Sequence, residues 1–232
     1  MQTIKCDGFT VRVVKSKRRK SMALKVNKDG ASIHIPSLLP LYFAEKFVHN
    51  KSSWISSKLK QQAERITVEK QFTDGEVFML LGKSYTFQLH EAPTKPTITL
   101  NGDSINCHAR LNKATKTAIS AAMTTWYKQQ ASHYLTARTH TLSTETKLSA
   151  KSITVKTYRA RWGSCTIRGD IQFNWKLILA PPEVIDYVII HELCHTKHHN
   201  HSKQFWQLVT HFRPDYSNNR HWLKIHGHSL EL

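Results

Sequence analysis

The stretch "HELCHTKHHNH", residues 191–201, holds five histidines and one glutamate in eleven residues. Within it, His191, Glu192 and His195 form the pattern H-E-x-x-H. Residues four apart on a helix are neighbours, so two imidazoles at this spacing can close on one metal ion. The glutamate is not a ligand in this arrangement, but it can reach a water molecule beside the metal. The pattern therefore predicts a metal site on a helix, and the alternative is a pair of solvated helix histidines.

A catalytic zinc site needs a third protein ligand and leaves one position open. The candidates for that ligand are His198, His199, His201, His211 and Glu231. His198 and His199 continue the line of the helix and would strain the geometry around the metal. Asn200 tolerates the left-handed conformation that ends helices, and a turn there would bring the next residue back. We therefore predict His201 as the third ligand.

The residues before the histidines predict the helix that carries them. Pro181 and Pro182 are typical of a first helical turn. Four residues spaced four, three and four positions apart lie on one face of this helix: Val184, Val188, His191 and His195. Cys194 lies on another face, so we expect it to pack in the core. Residues 150–180 have the pattern of a strand, a turn and a second strand.

The N-terminal third predicts a β-rich part with one helix. Three segments alternate apolar and polar residues as strands do: "FTVRVVKSK", "MALKVNKDGASIHIP" and "EVFMLLGKSYTFQLH". Asp29 and Gly30 predict a hairpin turn, and residues 91–104 read as a proline-bearing turn region. Residues 41–65 have helical spacing. Their expected core-facing stripe is Phe43, Phe47, Trp54, Ile55 and Leu59.

These patterns predict an α+β protein. A second helical segment over residues 113–142 has a predicted buried face of Ala118, Ala122, Trp126, Tyr127 and Tyr134. We expect a β-rich part over residues 1–110 and a helical, metal-bearing part over residues 111–232. The helix with H-E-x-x-H would pack on a small sheet in the second part.

The chain contains 34 Lys and Arg but only 16 Asp and Glu, and its formal net charge of +18 indicates which binding partners to expect. Such a field attracts polyanions, so contact with nucleic acid through a basic surface is one expectation. The other is a solvated surface, since no recognition motif accompanies the charge. The run "KSKRRK" at 15–20 is either a solvated turn or a phosphate contact.

The remaining composition predicts a cytoplasmic protein that does not use a membrane. No apolar run approaches the roughly 20 residues that span a bilayer, and the N-terminus lacks the apolar region of a secretory signal. Four scattered cysteines predict free thiols rather than a disulfide framework.

Several further residues are candidates for roles at the site. Arg161 precedes the helix and could stabilise negative charge that develops in the reaction, or it could be a structural ion-pair partner. Ser164 favours a turn or cap role, since no base is predicted beside it. Tyr216 and His221 could fold over the metal, but a surface or core position is the commoner fate of such residues.

Three segments near the helix resemble the YgjP-like metallopeptidase domain, a zincin-type family: "RWGSC" at 161–165, "FNWKLILAPPEVIDYVIIHELCH" at 173–195 and "HSKQFW" at 201–206. The likeness extends to "SKRRKSMALKV", the "DG" hairpin, "FVHNKSSWI" and "LLGKSYTF" in the N-terminal part. It implies a zincin-like fold, zinc held by His191, His195 and His201, and Glu192 as catalytic base. Members of the family are described as predicted metal-dependent hydrolases or peptidases, and some as nucleotide pyrophosphatases.

Three functions therefore stand as hypotheses. The first is a zinc-dependent metallopeptidase with a peptide or protein substrate, and it predicts an exposed strand edge beside the metal. The second is a zinc-dependent nucleoside triphosphate pyrophosphatase or phosphoester hydrolase, with basic side chains converging on the metal. The third is a nucleic-acid-associated module with a closed, four-ligand structural zinc site.

Overall fold

The computed structural model describes residues 2–27, 29–63 and 70–232. The chain divides into two compact units, residues 1–68 and residues 69–232. Helices and small mixed sheets build both units, which confirms the predicted α+β class. Within the described ranges, no helix is both long enough and apolar enough to cross a lipid bilayer.

The first unit is a four-stranded sheet with two helices. Its elements are β1 (Thr3–Cys6), β2 (Phe9–Ser16), β3 (Ala23–Asn27), β4 (Gly30–Pro36), α1 (Leu41–Asn50) and α2 (Ser52–Ala63). The strand order is β1-β2-β4-β3, with β2 and β4 parallel and the other neighbours antiparallel. Asn27 pairs with Gly30 across β3 and β4, which confirms the predicted hairpin. Nine buried residues form the core: Ile4, Val11, Val13, Ala31, Ile33, Ile35, Ala44, Val48 and Ile55.

The prediction of one helix over residues 41–65 is wrong, because α1 ends at Asn50. Lys51 caps this helix with a non-helical backbone conformation, φ −111° and ψ 11°. Residues 64 and 65 lie outside the described residues. The seven-residue spacing that linked the predicted stripe crosses this break, so its members no longer share one face. Ile55 is fully buried, and Phe47 and Leu59 pack against the core. Phe43 and Trp54 are instead 49% and 45% exposed.

The second unit begins with a sheet of the same topology. Its strands are β5 (Val77–Leu80), β6 (Lys83–Glu91), β7 (Thr97–Asn101) and β8 (Ser104–Ala109). The order is β5-β6-β8-β7, and its two central strands are again parallel. Residues 91–104, which we predicted as a turn region, therefore contain a strand. The backbone of β7 pairs with β8 from Thr97 to Asn101, so the turn chemistry is confined to the ends.

The division between units falls at residue 68 rather than near 110. The long helix α3 (Lys116–Thr146) packs beside the β5–β8 sheet, so both belong to one hydrophobic core. Tyr127 of α3 is fully buried and its hydroxyl donates to the carbonyl oxygen of Met79, 2.7 Å away. Of the predicted buried face of α3, Trp126 and Tyr127 are buried, whereas Ala118, Ala122 and Tyr134 are half-buried.

The remaining elements follow α3 in the order β9 (Ser152–Lys156), β10 (Gly163–Cys165), β11 (Asp170–Asn174), α4 (Pro182–His195), α5 (Lys203–Phe212) and α6 (Tyr216–His226). The three strands form a separate sheet of order β10-β11-β9. Helix α4 contacts β10, α3, α5 and α6, and most of its residues are buried. The sequence prediction of this helix on a small sheet is confirmed, with Pro182 in its first turn.

Candidate metal centre and its surroundings

A turn after α4 brings the third histidine back to the first two. The helix ends at His195 rather than at Asn200, because Thr196 caps it and the Thr196 hydroxyl donates to the carbonyl oxygen of Leu193, 2.7 Å away. Ser202 then caps α5 by accepting from the backbone N–H of Phe205. The two caps fix both ends of a short turn that contains His201.

Three imidazoles meet at this turn. One ring nitrogen from each of His191, His195 and His201 lies within 4.8 Å of the other two. The Nε2 atoms of His191 and His201 are 3.1 Å apart. Two nitrogens bound tetrahedrally to one zinc ion at about 2.0–2.1 Å lie roughly 3.3 Å apart. The three predicted residues are therefore brought together at a separation that fits one metal ion.

Hydrogen bonding and aromatic packing orient the three rings. The Nδ1–H of His195 donates to the carbonyl oxygen of His198, 2.9 Å away, so its Nε2 keeps a free lone pair. The His195 ring stacks on Phe205 at 4.4 Å between centroids, and the His201 ring stacks on Trp206 at 5.6 Å. These contacts therefore fix the orientation of the His195 and His201 rings independently of metal binding.

The protonation state of His191 also suits a ligand. Burial lowers its pKa to about 3, and the charges of His195, His201 and Arg220 act in the same direction. The pKa of His195 is lowered too, again mainly by burial. Neutral imidazole is the form that binds metal. The buried Nδ1 of His191 has no hydrogen-bond partner among the described residues.

Glu192 lies against the backbone of β10. The residue is 5% exposed. A Cβ atom added to Gly163 would lie 2.6 Å from Oε1 of Glu192 and 2.7 Å from its Cγ. The glycine of "RWGSC" therefore leaves the space that the Glu192 carboxyl group occupies. Burial raises the pKa of this carboxyl group to about 8, and the positive charge of Arg161 acts in the opposite direction.

Arg161 is exposed and lies within electrostatic range of Glu192. Its guanidinium group lies 5.3 Å from the centroid of the Tyr158 ring. Asn174, which is 4% exposed, donates from Nδ2 to the carbonyl oxygens of Tyr158 and Arg161 at 3.1 and 3.2 Å. The side chain of Asn174 thus fixes the loop that carries Arg161. Asn174 lies in the segment 173–195 that resembles the family, but the sequence analysis predicted no role for it.

Aromatic rings and a cation also pack near the triad, and of these residues the sequence analysis singled out only Tyr216. The ring of Tyr187 lies 5.9 Å from that of His191 and 6.4 Å from that of Tyr216. Tyr216 stacks on Trp206 at 5.2 Å, and the Arg220 guanidinium group lies 5.1 Å from the Trp206 centroid. The signal for Arg220 was only its position four residues after Tyr216 on one helix face.

The other candidates lie away from the three nitrogens. Glu231 forms an ion pair with Lys176, and the His211 ring packs against Phe212. Ser164 is half-buried in β10, opposite Gln172, and His221 is exposed on α6. Cys194 is fully buried, which confirms its place in the core, and all four cysteines are free.

The raised pKa of Glu192 predicts how the stability of the metal-free protein depends on pH. The folded chain retains a proton on this carboxyl group up to about pH 8, whereas the unfolded chain releases it near the ordinary value of 4.5. The free energy of unfolding therefore falls as pH rises through this window, by about 1 kcal/mol per pH unit from this group.

Glu192→Gln removes this titration. We expect the variant to gain stability over wild type between about pH 5 and pH 8, as measured by urea unfolding with a chelator present. A stability difference that stays constant with pH would show that the carboxyl group ionises normally.

Comparison with known proteins identifies the family of this chain. No curated protein matches the chain in sequence. Among solved structures, the metallopeptidase zymogen of Pyrococcus abyssi abylysin matches 39% of this chain and 94% of its own, with 18% identity and a TM-score of 0.36. The profile of the YgjP-like metallopeptidase domain matches residues 20–226. Since that match spans most of the 232 residues, the chain belongs to the YgjP-like metallopeptidase family.

Proposed function

We propose that this chain is a zinc-dependent peptidase in which His191, His195 and His201 hold the ion and Glu192 is the general base. The observation that carries the proposal is the meeting of three ring nitrogens within 4.8 Å, next to a buried carboxyl group. Membership of a metallopeptidase family supports a metal-dependent hydrolase. Imidazole donors suit zinc among the common metals.

The donor set favours an open site over a closed structural one. Only three ligands meet among the described residues, and His201 is exposed. A structural zinc site usually has four protein ligands. When bound, zinc supplies a Lewis acid that polarises the scissile carbonyl group and activates water for attack.

Glu192 carries the proton in the proposed mechanism. Without a cation nearby, burial keeps this carboxyl group protonated up to about pH 8, so it cannot act as a base at neutral pH. Positive charge placed at the three imidazoles favours the ionised form, as the charge of Arg161 already does. Ionised Glu192 takes a proton from the attacking water and passes it to the leaving amine.

Strand β10 supplies a surface for an extended peptide. It is an edge strand of the β10-β11-β9 sheet and pairs only with β11 among the described strands. Gly163 in the same strand contacts the Glu192 side chain. A substrate that adds to a sheet edge makes main-chain hydrogen bonds along it. A peptide on β10 would therefore pass close to the proposed base, as the peptidase hypothesis requires.

Arg161 is proposed to stabilise the negative charge that develops on the substrate carbonyl oxygen. Asn174 fixes its loop, and the guanidinium group has a preset position over Tyr158. A fixed cation beside developing charge lowers the barrier without reorganising during the reaction. Arg220 on Trp206 is a second cation at the rim of the site.

The metal part of the proposal is tested by elemental analysis of the purified protein. We expect about one zinc per chain, and an affinity at least roughly tenfold weaker in His201→Ala, because one of three ligands is lost. His199→Ala is the matched control, since it removes a neighbouring exposed histidine outside the ligand set. Wild-type protein that takes up no metal when zinc is supplied would end the enzyme proposal.

Gly163→Ala tests the contact between β10 and Glu192. The added methyl group would overlap the carboxyl group, so Glu192 must move. We expect a fall in peptide hydrolysis of roughly tenfold or more with zinc content unchanged, because the base is displaced and the ligands are not. Ser164→Ala, in the same strand, is the control. Equal activity in Gly163→Ala and wild type would show that Glu192 does not need this position.

Hydrolysis of nucleoside triphosphates or phosphoesters is a second candidate function. The charge of Arg161 acts on Glu192 and that of Arg220 on His191, and guanidinium groups bind phosphate well. Assays of quenched fluorescent peptides and of nucleoside triphosphates on the same zinc-loaded sample distinguish the two functions. Activity on triphosphates alone would replace the peptidase proposal.

A further inference from the structure

The positive charge of the chain is concentrated in the first unit. Residues 1–68 contain 14 Lys and Arg against 4 Asp and Glu, which gives +10 of the total +18. The 164 residues of the second unit carry the remaining +8. No acidic residue occurs between Asp7 and Asp29 or between Asp29 and Glu45. The first unit therefore has a long stretch of cations that local carboxylates do not balance.

The sheet of the first unit places a basic turn beside an apolar one. Strands β2 and β4 are parallel neighbours, and Ser16 pairs with Pro36 at their common end. The backbone N–H of Ser37 donates to the carbonyl oxygen of Ser16, 3.1 Å away. The turn Lys17-Arg18-Arg19-Lys20 leaves the sheet after β2, and the turn with Leu38 leaves it after β4. The two turns therefore leave the sheet at the same end of its two central strands.

The apolar turn leads directly into exposed aromatic residues. Leu38 is 95% exposed, Tyr42 63% and Phe43 49%. The two aromatic rings lie 5.7 Å apart in an edge arrangement in the first turn of α1. Exposed aromatic and aliphatic side chains in a contiguous group indicate an interaction surface. We name the basic turn together with these three residues the basic–aromatic tip.

We propose that the basic–aromatic tip binds single-stranded nucleic acid. The cations of the turn would contact phosphates, and the rings of Tyr42 and Phe43 would stack with unpaired bases. Proteins that bind single strands without sequence preference combine a positively charged track with aromatic stacking positions. Duplex fits less well, because its bases are already stacked and leave no free ring faces.

The surface beyond the tip favours a polymer over an anionic membrane. Lys46 on α1, Lys51 between the helices and Lys60 on α2 are exposed. Trp54 on α2 is 45% exposed. Along the sequence, exposed lysines therefore lie between the exposed rings of Tyr42 and Phe43 and that of Trp54. A chain of alternating phosphates and bases matches that order, whereas an interfacial helix needs a continuous apolar face.

The test is binding of the full-length protein to a fluorescein-labelled oligothymidylate of about 20 nucleotides, followed by anisotropy over a range of salt concentrations. Lys17→Ala/Arg18→Ala should weaken binding and reduce the slope of log K against log salt by about 1.4, since each phosphate contact to a single strand contributes about 0.7. Tyr42→Ala/Phe43→Ala should weaken binding by roughly 30-fold or more with the slope unchanged, because two stacking positions are lost.

Lys128→Ala/Lys156→Ala is the charge-matched control, because both lysines are exposed in the second unit. Equal weakening by the control pair would show that binding follows net charge alone, and would overturn the proposal. The proposal would also be overturned if the protein bound vesicles of phosphatidylserine and phosphatidylcholine but not the oligonucleotide, and if the tip variants lost the vesicle binding. Because every assay measures binding rather than hydrolysis, none of these outcomes depends on the peptidase proposal.

Discussion

Glu192→Gln is expected to lower peptide hydrolysis by the zinc-loaded protein by two to four orders of magnitude, the range that general base catalysis contributes. Glutamine has nearly the same shape as glutamate, so it fits the space beside Gly163 without disturbing β10. It cannot accept a proton from water. The measurement is kcat for a quenched fluorescent peptide, with zinc content determined on the same sample.

Zinc content should remain near that of wild type in this variant, because the three imidazoles are unchanged. Glu183→Gln is the matched control, since Glu183 is an exposed carboxylate in the first turn of the same helix. It should retain full activity. A Glu192→Gln protein with wild-type kcat would remove this residue from the mechanism, even with the metal site intact.

Asp186→Asn is expected to destabilise the protein by about 3–5 kcal/mol, as the loss of one partner from a buried ion pair does. Asp186 lies on α4, and its side chain is 8% exposed. Nε and Nη2 of Arg138 donate to its two oxygens at 2.7 Å each. Nη2 of Arg213 also donates to Oδ2. Asparagine would remove the carboxylate that pairs with both half-buried guanidinium groups.

The measurement is urea unfolding, with the midpoint and slope compared between variants. Asp103→Asn is the control, because this carboxylate is exposed and should contribute less than about 0.5 kcal/mol. A loss below about 1 kcal/mol in Asp186→Asn would show that desolvation of the carboxylate offsets its pairing with the two arginines. Since Asp186 joins α3 and the end of α5 to α4, we also expect lower zinc affinity in the destabilised variant.

Local patterns in the sequence predicted the three imidazoles that lie together at the candidate site. The pair His191 and His195 follows from helical periodicity, and His201 from the need for a reversal after the helix. The helix end itself was misplaced by five residues. Thr196 can cap a helix with its hydroxyl group as it does here, but threonine is also common within helices, so its identity did not reveal the end.

Contacts between distant segments could not be predicted. The approach of Gly163 to Glu192 joins residues 29 positions apart, and Arg138 lies 48 positions from Asp186. Periodicity gives the face on which a residue lies but not the partner across from it. The same limit explains the exposed rings of Phe43 and Trp54, because a change of direction at Lys51 leaves the apparent spacing intact.

The predicted boundary near residue 110 differs from the observed division at residue 68 for a related reason. The two four-stranded sheets have the same strand order, yet the sequence shows no repeat that would identify each as the start of a unit. The predicted boundary separated strand-like segments from the helical segment that begins at residue 113. Burial of Phe78, Phe87 and Ile105 against α3 decides the actual grouping.

The short turn between α4 and α5 has a consequence for the order of folding. All three imidazoles and the carboxyl group come from eleven consecutive residues, so the loop closed by an ion is short and its entropy cost is low. Strand β10 packs beside Glu192 through contacts between residues much farther apart in sequence, and such contacts form more slowly. In the proposed enzyme, the chelating segment can therefore assemble before the surface that holds the substrate. A partly folded chain that already retains zinc would still lack activity.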